Sequence, residues 1–103
     1  MKIIWTDSAQ QNQDAAAAYI FEEFGAMPLL DFYKNIDEIE EDLIAFPELG
    51  KVEPLLQDRS ILYRSLVATK YNKIIYYVDD DKIYIVDFWD TRREPKAQSD
   101  KLK

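Results

Sequence analysis

The chain contains no cysteine and no histidine, and among its 103 residues only two are glycine and four proline. Without cysteine there is no disulfide framework, no thiol nucleophile and no Cys-based zinc site. Without histidine the usual neutral-pH general base and the commonest metal ligand are gone as well. Any catalysis would have to come from carboxylates, Tyr, Lys, Arg, Ser or Thr. Scarce glycine and a 48% hydrophobic, 32% charged composition describe one folded, water-soluble domain with a single core, not a linker-rich or low-complexity chain. The N-terminal MKIIWTDSAQ has no long apolar stretch with a small-residue cleavage site, and no window approaches the roughly 18 apolar residues of a membrane span. A cytoplasmic protein with no membrane contact is expected. Cofactor and metal motifs are missing too: there is no glycine-rich phosphate loop and no nucleophile elbow. Asp79, Asp80 and Asp81 read as a hairpin turn rather than a cation site.

What is present is charge, unevenly placed. The formal net charge is −7. Residues 1–50 hold eleven acids against Lys2 and Lys34, whereas residues 51–103 hold eleven bases against nine acids. Arg59, Arg64, Lys70 and Lys73 follow one another with no acid between them, and Arg92, Arg93 and Lys96 come after Asp90. Each can be an ordinary solvated surface residue; a fold that groups them would instead present a local basic face.

Periodicity gives the elements. KIIWT, residues 2–6, is short and β-branched and reads as a strand. Ser8 with Gln11 fits a capping box, the run Ala15 to Ala18 favours helix, and Gly25 suits a helix end, so a first helix is expected over about 8–24. Pro28 suits a helix start, and Leu29, Phe32, Tyr33, Ile36, Ile39, Leu43 and Phe46 recur at three- and four-residue steps until Pro47. FPELGKVEPLL, with two prolines and a glycine, reads as loop. Strands are expected at 61–67, 73–78 and 82–89. The order is β-α-α-β-β-β, an α+β domain over residues 1–96 with a helical hairpin on one face of a small, mostly antiparallel sheet, followed by a flexible tail at 97–103. The first two strands are expected to be antiparallel if they are neighbours. IIYYV and IYIVDFW place large apolar residues on both faces of that sheet, while two helices cover only one. The second face is therefore expected either to be a tolerated apolar surface or to meet a partner segment.

The element order, the FPELGKVEPLL loop, the YRSLV strand and the hairpin KIIYYVDDDKIYIVDFWDTRREP together resemble the RelE/ParE family of bacterial toxins, also called plasmid stabilisation proteins. The resemblance spans nearly the whole chain. It implies the toxin of a type II toxin–antitoxin pair, held in check by a cognate antitoxin whose extended or helical segment wraps the sheet and helices. One branch cleaves mRNA on the ribosome with basic and aromatic residues plus, in many members, a histidine or glutamate and a C-terminal tyrosine. The other poisons DNA gyrase and has no agreed catalytic set. Arg64 matches an arginine of the nuclease branch, Lys73 stands where a second arginine is common, and Arg92 and Arg93 match the arginines after the last strand. Asp90 stands where many relatives have histidine, and no aromatic residue follows Trp89.

The chemistry of those departures bears on which branch applies. Cleavage through a ribose 2′-hydroxyl needs a base, an acid and cations for the charge developing on phosphate. Arg64, Lys73, Arg92 and Arg93 could supply the cations. The base would have to be Glu53, Asp87, Asp90 or a lysine of lowered pKa, and a carboxylate beside arginines is a weak base. An acidic first half also opposes tight nucleic-acid binding. Poisoning gyrase asks only for a binding surface, and RREP is a common ending in that branch. Three readings stand: gyrase poison, ribosome-dependent nuclease, and a catalytically inactive toxin-like protein-binding module.

Overall fold

The computed structural model describes residues 1–56 and 60–92. Arg59, Arg93 and the expected tail at 97–103 lie outside the described residues. Eight short elements follow in order: β1 (Lys2–Trp5), α1 (Asp7–Phe24), α2 (Ala26–Ala45), β2 (Lys51–Val52), a 3-10 turn (Pro54–Leu56), β3 (Arg64–Val67), β4 (Asn72–Asp79) and β5 (Lys82–Asp90).

The N-cap of helix α1 lies two residues earlier than the capping-box pattern suggests. Thr6, extended at φ −67° and ψ 158°, is the N-cap; its Oγ1 accepts the Ala9 N–H at 3.2 Å. Ser8 instead falls inside the first turn, because the chain leaving β1 is still extended at Thr6 and only there can a side chain fold back onto an unpaired N–H. Gly25 ends α1 with φ 90°, a conformation that side chains rarely adopt, and its N–H bonds to the Phe21 carbonyl at 3.0 Å. The same residue opens α2, so the two helices are joined by a single glycine. Pro28 consequently sits in the third helical position rather than the first, where its missing N–H still costs nothing because the first helical N–H groups have no intrahelical acceptor.

The sheet is five-stranded in the order β1-β5-β4-β3-β2. β1 lies at one edge, parallel to β5, with Lys2 opposite Lys82 and Trp5 opposite Ile85; the other three pairings are antiparallel. The first two expected strands are therefore not neighbours. The helical hairpin carries the chain across the sheet, and β1 is closed off by the last strand, Thr6 N–H bonding to the Ile85 carbonyl at 3.0 Å. The segment read wholly as loop supplies β2 and the 3-10 turn, and the strand expected from residue 61 begins at Arg64. Two residues at β2 are too few to leave a periodic trace. Between Ile75↔Asp87 and Tyr76↔Ile85 the register slips by one, which leaves Val86 as the extra residue of a β-bulge. The hairpin turn is closed by Asp80 and Asp81, Asp80 taking φ 58°, which its short polar side chain tolerates.

Both helices pack on one face. Ala9, Gln13 and Ala17 of α1 recur at four-residue steps and let that helix lie close to β5, while Phe32, Ile36, Ile39 and Leu43 of α2 fill the space above Ile74, Tyr76, Ile83, Ile85 and Phe88. The second face is partly covered by the chain itself: Leu56 and Tyr63 close over Ile75, Val86 and Trp89. The doubly apolar strands thus owe much of their second-face burial to an internal segment. What remains there is a row of rings, Tyr77 stacked on Tyr84 at 5.1 Å and Tyr63 edge-on to Tyr77 at 5.9 Å. No described helix is long and apolar enough to cross a membrane.

Two tests address this architecture. The Tyr76 ring is fully buried, its hydroxyl accepting the Gly50 N–H at 2.8 Å and donating to the Pro47 carbonyl at 2.9 Å. A Cβ on Gly50 would lie 2.7 Å from the Ser65 carbonyl oxygen and 2.8 Å from the Tyr76 ring. Tyr76→Phe and Gly50→Ala should each lower stability by about 1–3 kcal/mol in urea titration, the first through an unsatisfied N–H and the second through overpacking. Helix α2 also carries Glu40, whose carboxylate accepts from Trp5; burial and then the neighbouring Asp37 raise its pKa above the ordinary glutamate value, against the opposing pull of the Trp5 bond. The folded state therefore holds this proton more tightly than the unfolded one, and stability falls as pH rises from the ordinary value through the raised one. Glu40→Gln keeps an acceptor for Trp5, so it should raise Tm at neutral pH and flatten the pH dependence of Tm across that window.

Candidate functional site

Arg64, Lys73, Asp90 and Arg92, four of the five residues that the sequence nominates, can be placed; they do not converge. Arg64 starts β3 opposite Tyr76, and opposed residues share a face, so its side chain lies on the helix side. Its Nη1 donates to the Gly50 carbonyl at 2.9 Å. Lys73 precedes Ile74 on β4 and points to the other face, where its Nζ meets Glu53 Oε2 at 2.9 Å. Glu53 is buried, with only 1% of its side chain exposed, so Lys73 is committed to a buried carboxylate rather than offered to a ligand.

Asp90 and Arg92 do meet. Asp90 ends β5, and the chain turns so that Arg92 forks back onto it, Nε to Oδ1 at 3.0 Å and Nη2 to Oδ2 at 2.9 Å, with the Arg92 backbone N–H on the same Oδ1 at 2.9 Å. This bidentate pairing raises the Arg92 pKa, first through the hydrogen bond to Asp90. The guanidinium lies 4.4 Å above the Tyr71 ring, which Lys70 approaches at 5.3 Å. Tyr71 was not singled out by its sequence context, yet it belongs to this cluster; its position between Lys70 and Lys73 in the tight connection to β4 was the available signal. The cluster borders a cleft of about 650 Å³ walled on the other side by Asn12, Tyr19 and Phe24 of α1 and its end.

Arg64 and Arg92 thus stand apart along the sheet. Arg64 pairs with Tyr76, midway along β4, whereas Asn72 and Asp90 are paired at one end of that strand and Arg92 lies beyond them. The clefts that they border have no lining residue in common. Of the carboxylates considered as a base, Glu53 is engaged by Lys73, Asp90 by Arg92, and Asp87, fully buried, accepts from Asn12 Nδ2 at 2.9 Å. Among the described residues no group of three or more acidic side chains is placed to hold a metal ion.

A family profile for the ParE toxin of the type II toxin–antitoxin system parDE matches residues 3–95. The chain belongs to the ParE toxin family. Solved structures carry the same fold at low identity. A chain from the chromosomal ParDE toxin–antitoxin system of P. aeruginosa superposes with a TM-score of 0.68 at 20% identity, covering 87% of this chain and 95% of that one. The YoeB/ParE toxin from Agrobacterium tumefaciens gives 0.61 at 20% identity, covering 87% and 98%, and the YoeB dimer from Staphylococcus aureus gives 0.59 at 21% identity, covering 85% and 93%. No curated protein sequence matches the chain. The family assignment and the α+β architecture expected from the hairpin and loop motifs are both met.

Within the family frame, Lys73 can be tested as a structural residue. Lys73→Ala should destabilise the domain by about 1–3 kcal/mol in chemical denaturation, since it strips a cation from a buried carboxylate. Arg92→Ala, removing an exposed fork, should leave Tm nearly unchanged.

Proposed function

We propose that the chain is the toxin of a type II toxin–antitoxin pair, that it arrests growth by binding DNA gyrase rather than by cutting mRNA, and that a cognate antitoxin neutralises it in the bacterial cytoplasm. The observation that carries the choice of mechanism is the dispersal of the cations. Ribose-directed cleavage requires a base, an acid and positive charge within reach of one phosphate. In this chain Arg64 lies on one face of the sheet, Lys73 is paired internally on the other, and Arg92 is forked onto Asp90 at the far end. The three places are separated by the sheet or by its length, and each carboxylate considered as a base is already engaged. A poison that traps a protein–DNA intermediate needs none of that convergence; it needs a rigid surface with a few fixed anchors. Arg92, with Tyr71 beneath it and Asp90 holding its orientation, has the character of such an anchor: planar, always charged and preorganised. Arg93 follows it directly in sequence and is assigned to the same contact. The antitoxin rests on family membership and on a ParDE system being a structural neighbour.

The test is tightly induced expression of the chain alone in a bacterial host. Colony counts should fall by orders of magnitude, gyrase-linked DNA breaks should accumulate, and mRNA should show no cuts at ribosomal A sites. The Arg92→Ala/Arg93→Ala variant should restore growth at unchanged protein level. A-site cuts without gyrase-linked breaks would assign the chain to the nuclease mechanism, and unimpaired growth with soluble protein present would leave a toxin-like binding module.

A further inference from the structure

The fork with Asp90 does not by itself hold Arg92. The Arg92 side chain is 59% exposed and stands two residues past the end of β5. A long exposed side chain loses much rotamer freedom when it is fixed, and an exposed ion pair returns little. The Tyr71 ring, 4.4 Å from the guanidinium, supplies the second contact. Tyr71 is itself 43% exposed, so packing in the core does not fix the ring either. What fixes it is the connection from β3 to β4.

That connection, residues 68–71, turns without glycine. The Ala68 and Thr69 N–H groups both bond to the Asn72 carbonyl, at 2.9 and 3.1 Å. Thr69 Oγ1 accepts the Tyr71 N–H at 3.2 Å and donates to Asn72 Oδ1 at 2.9 Å. One hydroxyl thus ties down both residues that follow Lys70, in the side-chain turn that threonine forms with the backbone two residues on. Two further bonds seat the turn in the fold. The Asn35 amide of α2 donates to the Ala68 carbonyl, and the Thr91 N–H donates to the Tyr71 carbonyl at 2.8 Å. Thr91 lies between Asp90 and Arg92, so the turn that presents the ring is bonded to the segment that carries the guanidinium. Thr69, Tyr71, Asn72, Asp90 and Arg92 all border the same cleft.

We propose that Thr69 is a positioning residue for the Arg92 anchor: its hydroxyl locks the 68–71 turn, the turn places the Tyr71 ring beneath the guanidinium, and ring and Asp90 together fix the direction in which Arg92 points. This role rests on the reading of Arg92 as a contact with the target and extends it to a neutral residue that acts through Tyr71. The gain is affinity, because a guanidinium already aimed loses less freedom when it meets its partner.

Thr69→Val keeps the branched shape and removes both hydroxyl bonds, whereas Thr69→Ser keeps the hydroxyl. In the purified chain, the Arg92 Hδ protons should carry an upfield ring-current shift, and Arg92 Nε a heteronuclear NOE near that of the backbone. In Thr69→Val both should move to the values of Tyr71→Leu, which lacks the ring, with Tm nearly unchanged; Thr69→Ser should match the parent chain. Gyrase-linked DNA breaks, formed with purified gyrase, should require about fivefold more Thr69→Val protein, with Thr69→Ser again at the parent value. The double variant Thr69→Val/Tyr71→Leu should lose no more than Tyr71→Leu alone, since the two residues act in series. Arg92 signals that stay put in Thr69→Val would overturn the proposal, as would equal losses in Thr69→Ser and Thr69→Val or additive losses in the double variant. A large fall in Tm in Thr69→Val would also overturn it, by making Thr69 a structural residue. If the parent chain forms no breaks, the gyrase reading falls by itself, and the Arg92 signals still decide whether Thr69 positions the anchor.

Discussion

The Tyr76 hydroxyl is the constraint on which both the closure of the core and the shape of the cleft beside Arg64 depend. It lies under the connection from α2 to β2 and takes up two backbone groups of that connection, the Gly50 N–H and the Pro47 carbonyl. Burying a phenol costs free energy unless its oxygen is bonded, and here burial pushes the Tyr76 pKa up while the Gly50 bond opposes it. In return the connection is pinned at a fixed height above the sheet. Gly50 is required at that point because no Cβ fits between the Ser65 carbonyl and the Tyr76 ring. Its carbonyl, turned the other way, is the group that Arg64 holds. One residue therefore joins the core to the surface: its N–H is bound by the interior and its carbonyl aims a guanidinium into the cleft.

The second face of the sheet is governed by a different bargain. β4 and β5 are too apolar for a wet face, and the chain answers with its own segment: Leu56 and Tyr63 shelter Ile75 and Trp89, and Lys73 meets the carboxylate of Glu53 at the edge of that patch. A buried ion pair of this kind is seldom a large net source of stability, but it is costly to break and it fixes which way the segment lies. The outcome is a cation committed to architecture. Arg92, exposed and forked onto Asp90, is committed to orientation instead, and Arg64 to neither carboxylate nor solvent alone. Three positive charges that look equivalent along the chain have three distinct physical roles.

How far the sequence reached can be judged from these residues. The helices were legible because Phe32, Ile36, Ile39 and Leu43 repeat at helical steps and Gly25 marks the joint, and the long strands because Ile, Val and aromatic residues cluster between turn signals. Legibility failed where structure depends on contacts distant in sequence. Nothing local distinguishes Thr6 from Ser8 as the cap until β1 is docked beside β5. The two residues of β2 carry no period, and the parallel pairing of β1 with β5 spans the length of the domain. The site residues divide in the same way. Asp90 and Arg92 are two positions apart, and their proximity could be read directly. That Lys73 faces Glu53, or that Arg64 sits on the opposite face from Lys73, follows only from strand register and from a loop folded over the sheet.

That division also bears on how a small acidic chain carries out its function. Its two helices carry ten of the twenty acidic residues against a single lysine, and Arg64 and Arg92, the arginines among the described residues, emerge at separate places on the sheet rather than as one basic patch. A polyanion binding along its length would be met by that acidic layer. Two separated arginines, each set in an apolar or aromatic cleft and each aimed by a hydrogen bond, suit discrete contacts with protein surfaces, where a single well-oriented guanidinium can anchor an interface without a favourable field around it.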